Sequence, residues 1–198
     1  MNTRLDIVVA AIDEANARDP TFVEVDGKLH PRALLYGKRM SAVLAKCMPD
    51  APEVLLIAAR AQHIERWINQ RASYPEGRIA YLKWRKDLQQ YHAKRCGELM
   101  RGAGYGEADV EKVGALLRKE HLKYDPLTQT LEDVICLVFL QYEAPEFIAL
   151  HDDAKVCNIL AKTARKMSPL GLAEAEKLTL DARLARLLTA ALATRLTD

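Results

Sequence analysis

The stretch RAQHIERWINQRASYPEGRIAYLKWR, residues 60–85, decides how the rest of the chain is arranged. It contains both tryptophans of the protein, His63, six basic residues and a Pro-Glu-Gly turn, and a second histidine follows at His92. The pattern predicts two helices joined by a loop, with groups that are costly to bury unless they are paired or bound. We therefore expect the functional site in this part of the chain.

Outward from this stretch, apolar residues recur at helical spacing along most of the chain. We expect helices over about 3–18, 31–48, 52–68, 78–103, 107–119, 127–142, 145–150 and 152–167, and a helical hairpin over about 171–198. The residues before Asp26 could form one short extended piece, which cannot make a sheet alone. The sequence predicts a single all-α domain over residues 1–198, with a core of about 31–170.

Composition and local charge narrow the class of partner. The chain has 198 residues, 49% hydrophobic and 28% charged, as in an ordinary globular protein. A formal charge of +2 is too small to argue nucleic-acid binding by itself. Residues 60–101, however, hold ten Lys or Arg against four Asp or Glu, a local excess of +6. This segment favours an anionic small-molecule substrate, and a nucleic acid is the alternative partner.

Cysteine usage and hydropathy indicate the compartment. The four cysteines are scattered without a Cys-x-x-Cys pair, which predicts free thiols in a reducing cytosol. The amino terminus has only a short apolar run followed by acids, which predicts a surface helix rather than a leader peptide. No segment is apolar for long enough to span a bilayer. We expect a cytoplasmic protein that does not associate with a membrane. Its amphipathic carboxyl-terminal helices could pack in its own core or form the interface of a homodimer.

His63, His92 and Asp133 are candidate metal ligands because each shares a predicted helix face with apolar residues. Helical bundles build metal sites from inward side chains on facing helices, and divalent cations take neutral imidazole and carboxylate ligands. His121, beside Glu120, could supply a further ligand. In the alternative interpretation the histidines are hydrogen-bonded core residues and Asp133 is a cap or an ion-pair partner.

Basic side chains near the histidines are candidate substrate-binding groups, because a guanidinium fork suits phosphate or carboxylate. The candidates are Arg60, Arg66, Arg71, Arg78, Lys83, Arg85, Lys162 and Lys166. The alternative is a structural network in which the arginines pair with carboxylates such as Glu65, Glu76, Glu132 and Asp133. Both interpretations remain open at this point.

Five segments carry a resemblance to a known family. They are ARAQHIERW (59–67), YPEGRIAYLKWRKDL (74–88), YHAKRCGELMRGAGY (91–105), LTQTLEDVICLVFL (127–140) and KTARKMS (162–168). Over about residues 31–170 they resemble the family called domain of unknown function 4202. The resemblance implies a cytosolic protein and assigns no activity.

Two helices also resemble the HD superfamily of metal-dependent phosphohydrolases. IAARAQHIERW (57–67) is similar to the helix with that superfamily's His-Asp pair, which here reads Gln-His and ends at His63. LTQTLEDVICLVFL is similar to the helix with its final aspartate, here Asp133. His92 and His121 fall where some members place extra histidine ligands. Tyr36 or Arg39 stands where the first-helix histidine is expected.

The function predicted from these features is metal-assisted hydrolysis of a phosphorylated or nucleotide-like substrate. His63, His92, His121 and Asp133 would hold a divalent metal, which lowers the pKa of bound water, and Glu132 is a further catalytic candidate. One alternative is a metal-free helical protein that binds a nucleotide, RNA or a protein through residues 60–101. Another is an HD-like metal oxygenase.

Overall fold

A computed structural model of the chain describes residues 2–195, with side chains as far as residue 192. The predicted all-α class is confirmed, since the described residues hold ten α-helices and one two-stranded hairpin. The chain divides into two compact units, residues 1–121 and residues 122–198, and each is described by itself. The single domain predicted from the sequence stays a prediction. Residues 196–198 of the predicted carboxyl-terminal hairpin lie outside the described part.

The first unit contains five α-helices and the hairpin. The elements are α1 (Arg4–Asn16), β1 (Phe22–Val25), β2 (Lys28–Pro31), α2 (Arg32–Cys47), α3 (Glu53–Ala61), α4 (Arg78–Gly102) and α5 (Glu107–Arg118). Its core consists of fully buried aliphatic side chains from these helices, among them Ile12, Met40, Leu44, Leu55 and Met100. Helix α3 packs against α1, α2 and α5, and α4 packs along α5. Helix α3 is therefore the centre of this unit.

The hairpin corrects the expectation of one isolated extended piece. Strands β1 and β2 pair antiparallel, with Val25 opposite Lys28. Asp26 and Gly27 join them with φ angles of 50° and 73°, and two successive positive φ values are the geometry of the tight turn that closes β-hairpins. The Asp-Gly pair was the signal, but the second strand was missed because KLHP carries little apolar pattern.

The second unit holds the remaining helices. They are α6 (Pro126–Val138), α7 (Ala144–Ala149), α8 (Asp153–Ala164), α9 (Pro169–Glu176) and α10 (Ala182–Arg195). Helix α6 is mostly buried, as the sequence predicts for this segment, and it continues as a π-helical turn over Phe139–Glu143. Within this unit α8 packs on α10, and α6 packs on α9.

The helix predicted over residues 52–68 is too long. Helix α3 ends at Ala61, and two short 3-10 turns, Arg66–Ile68 and Arg71–Ser73, precede α4. At Glu65 the backbone adopts the left-handed conformation with φ 48°, which a continuous α-helix cannot contain. Hydrogen bonds from elsewhere in the unit hold this turn. They outweigh the helical periodicity of the local sequence.

Candidate anion-binding site

Hydrogen bonds to both the backbone and the side chain of Glu65 fix the turn that follows α3. The backbone N–H of Glu65 donates to Oδ1 of the buried Asn16 at 3.0 Å. Its carboxylate accepts from the Tyr91 hydroxyl at 2.7 Å and from Arg95 Nε at 3.0 Å. These three hydrogen bonds compensate a left-handed backbone that costs a non-glycine residue about 1 kcal/mol or more. The turn thereby sets the direction of its neighbours, His63 and Arg66.

His63 is half-buried between an aromatic ring and a cation. Its ring stacks on Tyr36 of α2, with centroids 3.8 Å apart and an interplanar angle of 19°. Arg66 Nη1 lies 2.8 Å from His63 Nε2. Because a guanidinium can only donate, Nε2 must accept this hydrogen bond, and the proton of the neutral ring resides on Nδ1. The contact fixes both the tautomer and the charge of His63.

The electrostatic surroundings of His63 are positive. Burial lowers the pKa of this histidine well below its ordinary value, and the charges of Arg66, His92, Lys119 and Arg85 lower it further, in that order. At physiological pH the three cations Arg66, Lys119 and Arg85 thus oppose a positive charge on the ring. A negative group placed here would meet the opposite field. We refer to His63, Arg66, Arg85, His92 and Lys119 as the His63 site.

The Trp84 ring of α4 helps to hold the Arg66 guanidinium in place. Its Cζ lies 5.2 Å from the centre of the Trp84 ring, a distance at which the π face attracts a cation. Trp84 is itself fixed, since its indole Nε1 donates to the carbonyl of Asn69 at 3.0 Å. The loop between α3 and α4 and the first turns of α4 therefore hold one another in place. The guanidinium is positioned before any ligand arrives.

His92 lies deeper than His63 on the inner face of α4. Its ring is 4% exposed, and its centroid is 6.2 Å from that of His63. Burial lowers the pKa of His92 to about 3, and the charge of Arg66 adds to this, while a hydrogen bond with the backbone of Gln62 opposes it. His92 is therefore neutral at physiological pH.

Two buried acceptor atoms lie in this region without a hydrogen-bond partner among the described residues. They are Nε2 of His92 and Oε1 of Gln62. Unpaired buried polar atoms are uncommon, and each costs about 1–3 kcal/mol. One of them belongs to His92, on which the charge of Arg66 acts, and the other belongs to the residue directly before His63.

A shallow groove of about 450 Å³ runs along the outer side of α4. It is lined by Leu82, Arg85, Lys86, Gln89, Gln90, Arg118 and Glu120. Arg85 belongs both to this groove and to the charges that act on His63. Arg118 is paired with Glu111 and Glu120 at 2.5 and 2.7 Å. The groove therefore gives the His63 site an exposed, polar margin.

Three of the basic residues predicted to bind substrate have partners within the protein, and their role in substrate binding stays a prediction. Arg60 makes a two-pronged contact with Asp13, at 2.6 and 2.5 Å, that ties α3 to α1. Arg71 donates to the carbonyls of Tyr74 and Pro75, which closes the loop before α4. Lys83 pairs with Asp87 on the exposed side of α4. The structure brings Arg66 and Arg85 to the histidines.

Arg78 and the two lysines of the KTARKMS segment lie on the surface. Arg78 is exposed at the start of α4, and Lys162 is exposed on α8. Lys166 Nζ lies 3.8 Å from a carboxylate oxygen of Glu132, which is only 2% exposed. A role for these cations in substrate binding stays a prediction.

Asp133 is occupied by donors within the second unit. Its carboxylate accepts from the backbone N–H of Ser168 at 2.8 Å, the Ser168 hydroxyl at 2.5 Å and Gln129 Nε2 at 3.0 Å. Ser168 is the amino-terminal cap of α9, and its hydroxyl accepts from the backbone N–H of Gly171. Asp133 thus anchors the start of α9 to α6, as the capping interpretation of this residue predicts.

The predicted metal ligands are distributed between the two units. His63 and His92 belong to the first unit and Asp133 to the second, while His121 is exposed with φ 56° at the end of the first. Within the described part of the chain, no three His, Cys, Asp or Glu side chains form a group able to hold a metal ion. His92 Nε2 fits a metal best, since it is neutral and buried.

Sequence reasoning did not single out Lys119 or the amide of Gln62 as members of the site. Lys119 is the left-handed residue that ends α5, with φ 58°, and no periodic pattern places such a residue against another helix. Gln62 directly precedes His63 and stands where the HD superfamily has the histidine of its His-Asp pair, and these two facts were the available signals. Both depend on where α3 stops.

Comparison with known proteins gives the family. The profile of the domain of unknown function DUF4202 matches residues 6–188. The chain therefore belongs to this family, as its motifs indicate. No curated protein and no solved structure matches it. In addition, none of the helices in the described part of the chain has the length and apolar character needed to cross a membrane.

Proposed function

We propose that the protein binds a small phosphorylated or nucleotide-like anion at the His63 site. The observation that carries this proposal is the electrostatic setting of His63. A half-buried neutral ring is surrounded by Arg66, Lys119 and Arg85, whose charges all lower its pKa. An anion at this place would be favoured by the same field that disfavours the imidazolium.

The geometry of Arg66 suits such a ligand. A guanidinium presents its N–H donors in a fixed fork that matches the oxygen atoms of a phosphate, and one terminal nitrogen of Arg66 contacts His63. Charge-assisted hydrogen bonds from arginine to phosphate are about twice as strong as neutral ones. Because His63 and Trp84 already hold the side chain, little conformational freedom is lost on binding.

The experiment is a calorimetric titration with inorganic phosphate, pyrophosphate and a nucleoside monophosphate. We expect Arg66→Met and Arg85→Met each to lower the affinity by about tenfold or more, as removal of a charged hydrogen-bond donor does. The matched controls are Lys83→Met and Arg78→Met, which lie on α4 as Arg85 does. They remove exposed cations and are expected to change the affinity by less than about twofold. Equal losses in all four variants would contradict the proposed site.

Ionic strength provides a second measurement on the same samples. Exposed charges are strongly screened at about 0.15 M salt, while partly buried pairs are screened less. A ligand held at the half-buried His63 site should therefore keep most of its affinity as salt is raised. An affinity that falls as steeply as that of a polycation for nucleic acid would favour the RNA-binding alternative instead.

Metal-assisted hydrolysis of the same class of substrate is the second candidate, supported by the resemblance to the HD superfamily and by His92. His92 Nε2 is a neutral, buried acceptor, which is the form of imidazole that binds metals. A bound divalent metal would supply Lewis-acid chemistry at a phosphoryl group. In a variant oxygenase of this type the metal would be iron.

Metal content separates this candidate from simple binding. Protein purified without a chelator and without a histidine tag is assayed for bound metals as wild type, His92→Ala and Asp133→Asn. Stoichiometric metal that His92→Ala loses would favour the hydrolase, metal lost only in Asp133→Asn would assign the ion to the second unit, and iron would direct the search to oxygen consumption. His63→Ala and the exposed His121→Ala test the two other predicted ligands. Metal retained in every variant would argue against these ligands.

A further inference from the structure

Whether the two buried, unpaired atoms of His92 and Gln62 donate or accept hydrogen bonds restricts what kind of ligand can bind there. His92 hydrogen-bonds with the backbone of Gln62, and since the Gln62 N–H already donates to the carbonyl of Ala59, the ring N–H of His92 donates to the Gln62 carbonyl. Its other nitrogen, Nε2, has no partner among the described residues. In a neutral imidazole with one N–H, the second nitrogen is an acceptor. His92 Nε2 therefore presents a lone pair.

The second unpaired atom has the same polarity. Oε1 of Gln62 is a carbonyl oxygen, which can only accept. Both residues are more than nine-tenths buried, with exposures of 4% for His92 and 6% for Gln62. Two buried acceptors call for a group that donates hydrogen bonds. The dianion of a simple alkyl phosphate, the main form at neutral pH because its second pKa is about 6, has no O–H to donate.

We propose that the ligand of the His63 site is a hydroxyl-bearing phosphate ester, such as a sugar phosphate, a glycerol phosphate or a nucleotide. Its phosphoryl group binds Arg66 and Arg85, and one of its hydroxyls donates to His92 Nε2 or Gln62 Oε1. This inference rests on the proposed anion-binding function and narrows it to a substrate class.

Arg66 and the two histidines lie close together in the first unit. The rings of His63 and His92 are 6.2 Å apart, and Arg66 contacts the first while its charge acts on the second. A small phosphate ester carries phosphoryl oxygens and a hydroxyl on adjoining carbons, and so offers both an anionic group and a hydrogen-bond donor within one small molecule. Discrimination follows, because a ligand that lacks the hydroxyl leaves buried acceptors unpaired.

The experiment compares two esters that differ only in their hydroxyls, glycerol 3-phosphate and propyl phosphate, by calorimetric titration of the full chain. We expect the wild type to bind glycerol 3-phosphate at least about tenfold more tightly. In His92→Phe and in Gln62→Met the ratio should fall by about tenfold or to near unity, while the affinity for propyl phosphate stays within about twofold. The control is Gln89→Met on the outer side of α4, which should keep the wild-type ratio.

The outcomes distinguish this inference from the function on which it rests. If the wild type binds both esters equally well, the hydroxyl contact is wrong while anion binding stands. If neither ester nor inorganic phosphate binds, both proposals are wrong. Because the wild-type ratio needs no substitution, the test does not depend on the folding of His92→Phe.

Discussion

Arg66 Nη1 lies 2.8 Å from His63 Nε2, so a permanently charged donor is directed at the ring nitrogen that a proton or a metal would otherwise use. This contact keeps His63 neutral and occupies its outward lone pair. It also explains why the positive charge of the site resides on the basic side chains around the histidines. The His63 site thus combines cationic side chains with histidine rings that carry no charge.

Removal of the Arg66 charge should raise the pKa of both histidines. The charge of Arg66 lowers the pKa of His63 and that of His92, which is about 3. We expect Arg66→Met to move both titrations to higher pH, with His92 still below its ordinary value because burial is the larger cause. The measurement is a proton-carbon NMR titration of the histidine rings. Lys83→Met, which removes an exposed cation of α4, should leave both curves in place.

The buried histidines should make folding stability fall in mildly acidic solution. A group whose pKa is lower in the folded state than its unfolded value, about 6.5 for histidine, takes up its proton preferentially in the unfolded chain. Its contribution is therefore complete above about pH 6.5 and is lost as the pH falls toward the folded value of about 3 for His92. His63 has the same sign.

For His92 alone, the free energy of unfolding should decrease by about 2 kcal/mol between about pH 7 and pH 5. Urea denaturation of wild type and His92→Phe at both pH values isolates this amount, since all other titrating groups are common to the two proteins. An unchanged difference between the proteins at the two pH values would contradict the buried, neutral state of His92.

Gly37 permits the close contact between α2 and α3 that brings Tyr36 to His63. A Cβ at this position would lie 2.8 Å from the carbonyl oxygen of Arg60. Gly37→Ala should therefore destabilise the protein by about 1–3 kcal/mol through overpacking. The matched control is Gly102→Ala at the end of α4, where a Cβ meets nothing within 4 Å. Chemical denaturation of both variants tests this, and equal stabilities would argue against the close packing.

Asp13 and Arg60 should contribute to stability without affecting ligand binding. Their side chains are 27% and 13% exposed and share two hydrogen bonds. Asp13→Ala leaves a partly buried guanidinium without its carboxylate, and we expect a loss of about 1–3 kcal/mol. Glu14→Ala removes an exposed partner of Arg18 and should cost less than about 0.5 kcal/mol. If a folded Asp13→Ala protein bound phosphate less tightly than the wild type, Arg60 would have to be counted as part of the His63 site.

Asp133 and Ser168 should be energetically coupled. Removal of either member disrupts the start of α9, because Asp133 accepts two hydrogen bonds from Ser168. We expect Asp133→Asn and Ser168→Ala each to cost about 1–3 kcal/mol, with the double variant well below the sum. Urea denaturation of the four proteins completes the cycle. Strict additivity would mean that the contact between the two side chains contributes nothing to stability.

The helical fold could be predicted because each helix shows its hydrophobic periodicity within its own stretch of sequence. The bounds of α4, Arg78–Gly102, agree closely with those expected from the sequence. The error at residues 62–68 has a different origin. The left-handed Glu65 is held by Asn16, Tyr91 and Arg95, residues far away in the sequence, and no local pattern reports such hydrogen bonds.

The candidate site could be predicted only in part for the same reason. The concentration of histidine and arginine in residues 60–92 correctly indicated where polar groups would be buried. Which arginine meets a histidine depends on partners elsewhere: Asp13 engages Arg60, whereas the turn at Glu65 brings Arg66 to His63. Asp133 was expected to cap or to bind a metal, and the capping contact with Ser168 is present.

Glu65 combines two demands that no other residue type meets together. Its backbone is left-handed, which glycine or asparagine would accept more readily, but only a long carboxylate reaches both Tyr91 and Arg95. Glycine would relieve the backbone and leave those two donors without an acceptor. During the divergence of related sequences, position 65 should therefore not drift by itself. We expect its identity to change in concert with those at 91 and 95, so that the three positions are inherited as one unit.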